Sequence, residues 1–514
     1  MNKYDGNDKN NKNNNNKSIN TNKEKIENIF KVRNSRDRED ILNDDLIKYY
    51  YLDDKIYCCD VNTEPLFDNI KNYDYLEPIK KLANYYKNVE PNYYNTLIDT
   101  YSNYNFEKPL YIKDSNYELD EIMLQYVKCF KNMSCLIVWS VANINNVHQT
   151  DFYDMLKKNG TVHAIKELNL NKKQIQGALY QIYSDKSEAH NMQWIQGKQK
   201  LSGIDGFNNK IFVIFYEAND FNKISGKDAP LKVKLREALK VNSNVKNDIK
   251  LNAMLHISDN NTQVVELAQL FCNKNSLRLL QYQRLDRIFN KKFYKSYVMF
   301  MTYKNWLLNN VKPINQLRFM LFSSVVMYSL GLREMNDLDI LVYHLPKDEQ
   351  LENVITKYID DDKTRFHFIE ITMQGRRDYV EGSENEYKMN WFNKEWPNLY
   401  GAQSMDETYF NPKFHYYYFG VKIISMIADI KRRISRCRAA SYADMIALFK
   451  LIQPIPEIEL PDMPTGYWKS HVYCEYNSKE IKTQIKKISF YLKNRYGINI
   501  SDDEIKKIIK APNI

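Results

Sequence analysis

The stretch FSSVVMYSLGLREMNDLDILVYHL, from Phe322 to Leu345, decides how this chain is read. An apolar run that carries two serines, Ser323 and Ser324, is followed by two aspartates, Asp337 and Asp339, at the entry to the run Ile340, Leu341, Val342. Side chains of an extended chain alternate between faces, which puts Asp337, Asp339, Leu341 and Tyr343 on one side and Leu338, Ile340 and Val342 on the other. Two strand rises separate the aspartates by about 6.6–6.8 Å at Cα. Carboxylates so placed can converge on hard cations that take oxygen ligands. Two-metal sites for phosphoryl transfer hold their ions about 3.5–4 Å apart, a span such a pair can bridge. Taken alone, D-x-D is a poor signal and describes two solvated aspartates at a strand end more readily than a metal site.

The flanking residues narrow the choice. LRFMLFSSVVMYSLGL (Leu317–Leu332) has the apolar spacing of a short helix with Ser323 and Ser324 near its start. Free backbone N–H groups and hydroxyls at a helix start receive phosphate oxygens. A phosphate cradle followed by a metal-binding strand is the order a nucleoside triphosphate site requires. Downstream, TRFHFIEITM (Thr364–Met373) reads as a strand with Glu370 among alternating apolar residues. An acid in such a strand is paired or metal-bound. Glu370 therefore either bridges to Arg376 or Arg377 or supplies a third carboxylate, and Asp378, expected on a loop past Gly375, is the second candidate for that place.

The whole chain has 514 residues and a net charge of +10, which predicts two or three domains and permits a polyanionic partner. The seven cysteines and eight histidines are scattered. No disulfide framework or zinc spacing is visible, so a reducing compartment is expected. No apolar run reaches the roughly 18 residues of a membrane span, and the N-terminus has no signal-peptide centre. Residues 1–36, with NDKNNKNNNNKSINTNK, read as a disordered tail.

Residues 37–235 mix helical patterns (YLEPIKKLANYY, ELDEIMLQYVKCFKNM) with the strand-like SCLIVWSVANI (Ser134–Ile144) and KIFVIFYEA (Lys210–Ala218). The polar NDFNKISGKDAPLK (Asn219–Lys232) is the expected linker. In 236–460, DIKLNAMLHI and SLRLLQYQRL read as strands, and NTQVVELAQLFCNK and KSYVMFMTYKNWLLNNV as helices. YYYFGVKIISMIADIKRRISRCRAASYADMIALFKLI reads as one long helix ending before the proline-rich PIPEIELPDMP. Residues 461–514 form a basic helical segment, with Ser501 capping its last helix. Helices and strands mixed in both halves predict an α+β (mixed α/β) chain of two such domains.

The serines, D-L-D and a later acid resemble the nucleotidyltransferase superfamily related to DNA polymerase β. Its pattern is an apolar residue, Gly, Gly or Ser, a spacer of about ten residues, and then D-h-[DE]-h. Here Ser323 stands at a glycine position, while Ser324, Asp337 and Asp339 match directly. An extra N-terminal region, the central NDLDILV and the RRISRC segment make the layout look most like the poly(A) polymerase catalytic subunits of poxviruses and giant viruses. The motif match covers residues 315–450.

The resemblance implies a palm with a mixed sheet and flanking helices, preceded by a non-catalytic α/β domain for which the same topology is one reading. It implies template-independent transfer of AMP from ATP to the 3′-hydroxyl of viral mRNA. Asp337, Asp339 and Glu370 would hold two Mg2+ or Mn2+ ions, and Ser323, Ser324 and Lys422 would receive the triphosphate. Implied partners are RNA and ATP, with a homodimer or a cap-methyltransferase-type processivity partner; no membrane is involved. The implied location is the viral factory in the host cytoplasm, or the virion. Lys431, Arg432, Arg433, Arg436 and Arg438 read either as RNA contacts or as a solvated helix end. Tyr416, Tyr417 and Tyr418 read as core before base-stacking. Another nucleotidyltransferase, or an RNA-binding virion protein with a decayed site, fits the same residues.

Overall fold

The computed structural model describes residues 110–113, 132–183, 209–225, 229–242, 251–311, 318–343, 366–371, 375–380, 383–388, 411–435, 438–452 and 478–508, with isolated positions between them. All belong to the compact unit Pro109–Ile514; Met1–Lys108 is a separate unit. The expected tail, YLEPIKKLANYY and PIPEIELPDMP lie outside the described residues. Within them the chain is a mixed α+β protein built on two mixed sheets.

The first sheet contains β1 (Leu110–Lys113), β2 (Met133–Val138), β3 (Gly160–Asn169), β4 (Lys210–Ala218) and β5 (Leu255–Ile257), in the order β1-β3-β4-β2-β5. Only β1 and β3 run parallel. KIFVIFYEA is β4 over its whole length. SCLIVWSVANI is strand only to Val138, then turns through a 3-10 helix at Ser140–Ala142 that Asn143 closes at φ 50°. Helix α1 (Asp151–Asn159) packs on β3 and β4, α3 (Pro230–Asn242) packs on α1, and α2 (Lys172–Tyr183) packs on the helix Lys274–Tyr282. The Thr150 side chain caps α1 by accepting from the Tyr153 N–H.

The described parts of the expected linker Asn219–Lys232 are ordered, with a 3-10 helix at Phe221–Lys223. The Asn219 N–H bonds to the Asn159 carbonyl at 2.9 Å, and Pro230 opens α3, where its missing N–H costs nothing.

Helices α4 (Asn261–Phe271), α5 (Lys274–Tyr282) and α6 (Tyr294–Asn310) follow. SLRLLQYQRL was expected as a strand and is largely α5. The Asn273 side chain accepts from the Ser276 N–H and starts a helix whose Leu277, Leu280 and neighbours are buried. DIKLNAMLHI likewise divides into a helical turn, Leu251–Met254, and the three-residue β5.

The second sheet contains β6 (Phe319–Phe322), β7 (Leu338–Tyr343), β8 (Phe366–Ile371), β9 (Gly375–Val380), β10 (Ser383–Lys388), β11 (His415–Tyr418) and β12 (Val421–Ile424). Its order is β10-β9-β8-β7-β6-β12-β11, with β7–β8 and β6–β12 parallel. Consecutive strands from β6 to β10 are neighbours, whereas in the first sheet β3 and β4 are the one consecutive pair among the described strands.

The expected long helix at YYYFGVKII is instead the hairpin β11–β12. Phe419 and Gly420 turn it at φ 50° and φ 76°, the two positive values that suit the strands' twist. Helices resume as α8 (Met426–Ser435), after the short α7 (Ser324–Ser329), and continue as α9 (Ala439–Ile452), α10 (Ser478–Tyr491) and α11 (Asp502–Ile508).

Strand alternation sorts the second sheet into two faces. Against one lies α6: Trp306 meets Phe319 at 5.9 Å and Phe368 at 5.1 Å between ring centroids, and Phe300 meets Tyr418 at 5.2 Å. On the other, the Arg432 guanidinium of α8 lies 5.0 Å above the Phe322 ring. Asp339 pairs with Phe322 across β6–β7 and so belongs to this second set.

Candidate active site around Ser323 and the aspartate pair

The signature stretch folds as strand β6, a turn at Ser323, helix α7, a loop through Arg333, and strand β7. The short helix expected in Leu317–Leu332, with Ser323 and Ser324 at its start, is α7, and Phe319–Phe322 ahead of it joins the sheet. Ser323 has φ 70° and ψ −113°. That conformation is natural to glycine and costs another residue about 1–3 kcal/mol. Gly331, at φ 70°, ends the segment, and a Cβ there would come within 2.5 Å of the Arg284 carbonyl oxygen.

Ser324 is buried, and its hydroxyl donates to the Asp337 carbonyl at 2.8 Å. This bond fixes the entry to β7 against the start of α7. Asp337 is exposed one residue ahead of the strand; Asp339, inside it, is half-buried. The pair therefore offers oxygen donors at a solvent-facing edge, a donor set that suits Mg2+ or Mn2+. Among the described residues no group of three His, Cys, Asp or Glu stands where it could hold a metal.

The two candidates for a third acid take different register positions. In register, Glu370 falls opposite Val342 on β7 and opposite Arg377 on β9. Asp378 lies in strand β9 and not on a loop; it pairs with Ile369, in Asp339's set.

Lys422 does not stand on a helix. It occupies β12, buried, and its Nζ donates to the Tyr409 carbonyl at 2.8 Å. Alternation from Ile423, which pairs with Leu321, puts Lys422 in the same set as Phe322 and Asp339.

Arg432 and Arg433, read as RNA contacts or a solvated end, are both 2 % exposed and ion-paired. Arg432 donates to Asp429 Oδ1 at 3.1 Å from Nε and 2.8 Å from Nη2. Arg433 Nε donates to Asp429 Oδ2 at 2.6 Å, Nη1 donates to Asp444, and Nη2 donates to the Ser323 carbonyl at 2.6 Å. Asp444 also receives Arg333 and the Tyr496 hydroxyl. Burial by itself would raise the Asp444 pKa, but the guanidiniums of Arg433 and Arg333 hold it below the usual carboxylate range. Burial and Asp444 push the Tyr496 phenol far up, which keeps it a donor.

Sequence reasoning did not single out Asp429, Asp444, Arg333 or Tyr496. The i, i+3 and i, i+4 spacing of Asp429 to Arg432 and Arg433 was the available signal. Lys431 is half-buried and Arg438 exposed; Arg436 lies outside the described residues. The three tyrosines are buried, and the Tyr416 hydroxyl shares a hydrogen bond of 2.7 Å with Ser329. On α10, Lys482, Lys486 and Lys487 face solvent while Ile485 and Ile488 are buried, the pattern of a docked surface helix. Ser501 caps α11 by accepting from the Glu504 N–H. No helix among the described residues is long and apolar enough to cross a membrane.

No protein-family model, curated protein or solved structure matches the chain.

Proposed function

We propose that this chain is a nucleotidyltransferase that extends RNA 3′ ends with AMP from ATP, a poly(A) polymerase of the viral type. The observation that carries the reading is the Ser323 turn. Where the superfamily pattern has glycine this chain has serine, yet the backbone adopts the left-handed conformation that glycine would supply, and the next residue's hydroxyl is tied to Asp337. A merely serine-rich helix start needs neither feature.

In this reading the RNA 3′-hydroxyl attacks the α-phosphate and pyrophosphate leaves. Magnesium or manganese would supply charge neutralisation and activate the attacking oxygen. Asp337 and Asp339 orient the donor oxygens at the mouth of β7, Asp378 is the third acid that register favours, and the Ser323–Ser324 turn borders the triphosphate. Lys422 lies in the same face set and adds positive charge there. Its bond to the Tyr409 carbonyl makes it a fixed charge in place of a mobile clamp.

The test is incubation with a short RNA, Mg2+ or Mn2+, and each nucleoside triphosphate separately. Tailing with ATP is expected; equal use of all four would overturn the poly(A) assignment in favour of another nucleotidyltransferase. The double substitution Asp337→Ala, Asp339→Ala should abolish incorporation. Unaltered tailing by that variant would sink the metal-site assignment, and no tailing by the unsubstituted protein would favour an RNA-binding protein with a decayed site.

A further inference from the structure

The proposed transfer chemistry makes no use of the buried charge cluster behind the Ser323 turn. Asp429, Arg432, Arg433 and Asp444 are each 2 % exposed or less. Burying four charges is costly unless each is paired and fully hydrogen-bonded, and a hydrophobic replacement of similar volume would often stabilise as well. The geometry shows what the charges achieve that apolar residues would not. Arg433 spends its three nitrogens in three directions: Asp429 on its own helix, Asp444 on α9, and the Ser323 carbonyl at 2.6 Å. Asp444 in turn grips Arg333 as a fork, with Nε 3.2 Å from Oδ1 and Nη2 2.9 Å from Oδ2.

Ser323 stands immediately before α7, and Arg333 lies on the loop after it, four residues ahead of Asp337. One carboxylate, Asp444, therefore reaches both sides of α7, directly through Arg333 and by way of Arg433 at Ser323. A strained backbone residue persists only where its surroundings over-determine it, and the charged hydrogen bond from Arg433 is the contact on the Ser323 peptide that does so. From Ser323 the chain passes to Ser324, whose hydroxyl holds the Asp337 carbonyl.

We infer that Arg433, held by Asp429 and Asp444, is a positioning residue: it locks the Ser323 turn in its left-handed conformation and through Ser324 sets where Asp337 stands. Tyr496, at the end of a π-helical turn (Leu492–Tyr496) that continues α10, completes the Asp444 shell, so the C-terminal helices report on the same lock. The kinetic part of this inference rests on the nucleotidyl-transfer reading; the conformational part does not.

The test is a double-mutant cycle between residues 433 and 323, read by urea unfolding and by tailing kinetics. Arg433→Gln should lower kcat tenfold or more and raise the Mg2+ concentration for half-maximal rate, with the KM for RNA unchanged. Arg433→Lys, which keeps one charged donor, should recover part of that loss. Ser323→Gly should restore kcat in the Arg433→Gln background by at least threefold, because glycine holds the turn without the lock.

Additive effects at the two positions, in stability and in rate, would overturn the inference. Since Arg433→Gln strips a partner from two buried carboxylates and can fail to fold, Tyr496→Phe provides a second arm that leaves every charge in place. It should reduce kcat about threefold, and less in the Ser323→Gly background; lost stability with unchanged kcat and Mg2+ response would reduce the cluster to a structural rivet. If the unsubstituted protein transfers no nucleotide, the functional reading fails by itself. The unfolding cycle then decides the lock, coupling supporting it and additivity refuting it.

Discussion

Ser323 is where the chemistry of one side chain and the demand of the backbone disagree. At φ 70° a Cβ is strained, by about 1–3 kcal/mol for residues other than glycine. Ser323→Gly should therefore raise stability by about 1 kcal/mol after the extra chain entropy of glycine is subtracted, measured as a shift in urea midpoint at constant slope. A β-branched residue there, Ser323→Val, should destabilise. The register of β8 and β9 gives a second prediction at this scale. Asp378→Asn should cut nucleotide transfer by two orders of magnitude or more while Glu370→Gln leaves it within a few-fold, measured in the same tailing assay. The sequence made Asp337, Asp339 and Ser324 legible because their spacing within one strand and one turn is local. It could not rank Glu370 against Asp378, because the choice depends on which residues of three different strands come opposite one another.

At the scale of elements, buried charge and buried rings set the energetics. Arg433 and Arg333 hold the Asp444 carboxyl on α9 below the usual carboxylate range, despite its burial. A depressed folded-state value means its contribution is present above the unfolded value of about 3.9 and is lost as pH falls through the folded one. Acid unfolding followed by circular dichroism should show this loss below about pH 4, and Asp444→Asn should flatten that limb while costing about 3 kcal/mol or more at pH 7. On the opposite face of the second sheet, Trp306 packs on Phe319 and Phe368. Trp306→Ala should cost about 3–5 kcal/mol by denaturant unfolding. Elements whose signals are local were readable: β4, α6 and the Ser501 cap stand where patterning puts them. The run at Lys274–Tyr282 misled because a short apolar stretch satisfies either period, and the Asn273 cap decided for helix. The hairpin His415–Ile424 misled for a tertiary reason, since β12 is held by pairing with β6, a strand about a hundred residues earlier.

At the scale of the molecule, the described residues all belong to Pro109–Ile514. A chain beginning at Pro109 should therefore fold cooperatively by itself, with one calorimetric transition at nearly the midpoint of the full chain; failure to fold would show that Met1–Lys108 contributes to the core. The amino-acid sequence by itself determined the α+β class, the aspartate pair and its strand, and the serines of the turn, since each is written in the period and spacing of consecutive residues. Only the tertiary structure decided that Ser323 takes a glycine-like conformation, that Lys422 is a buried strand residue, and that Arg432 and Arg433 are interior ion-pair partners of Asp429 and Asp444. A basic residue near a helix end looks the same in sequence whether it meets solvent or a buried carboxylate. The difference lies in burial, which long-range packing alone creates.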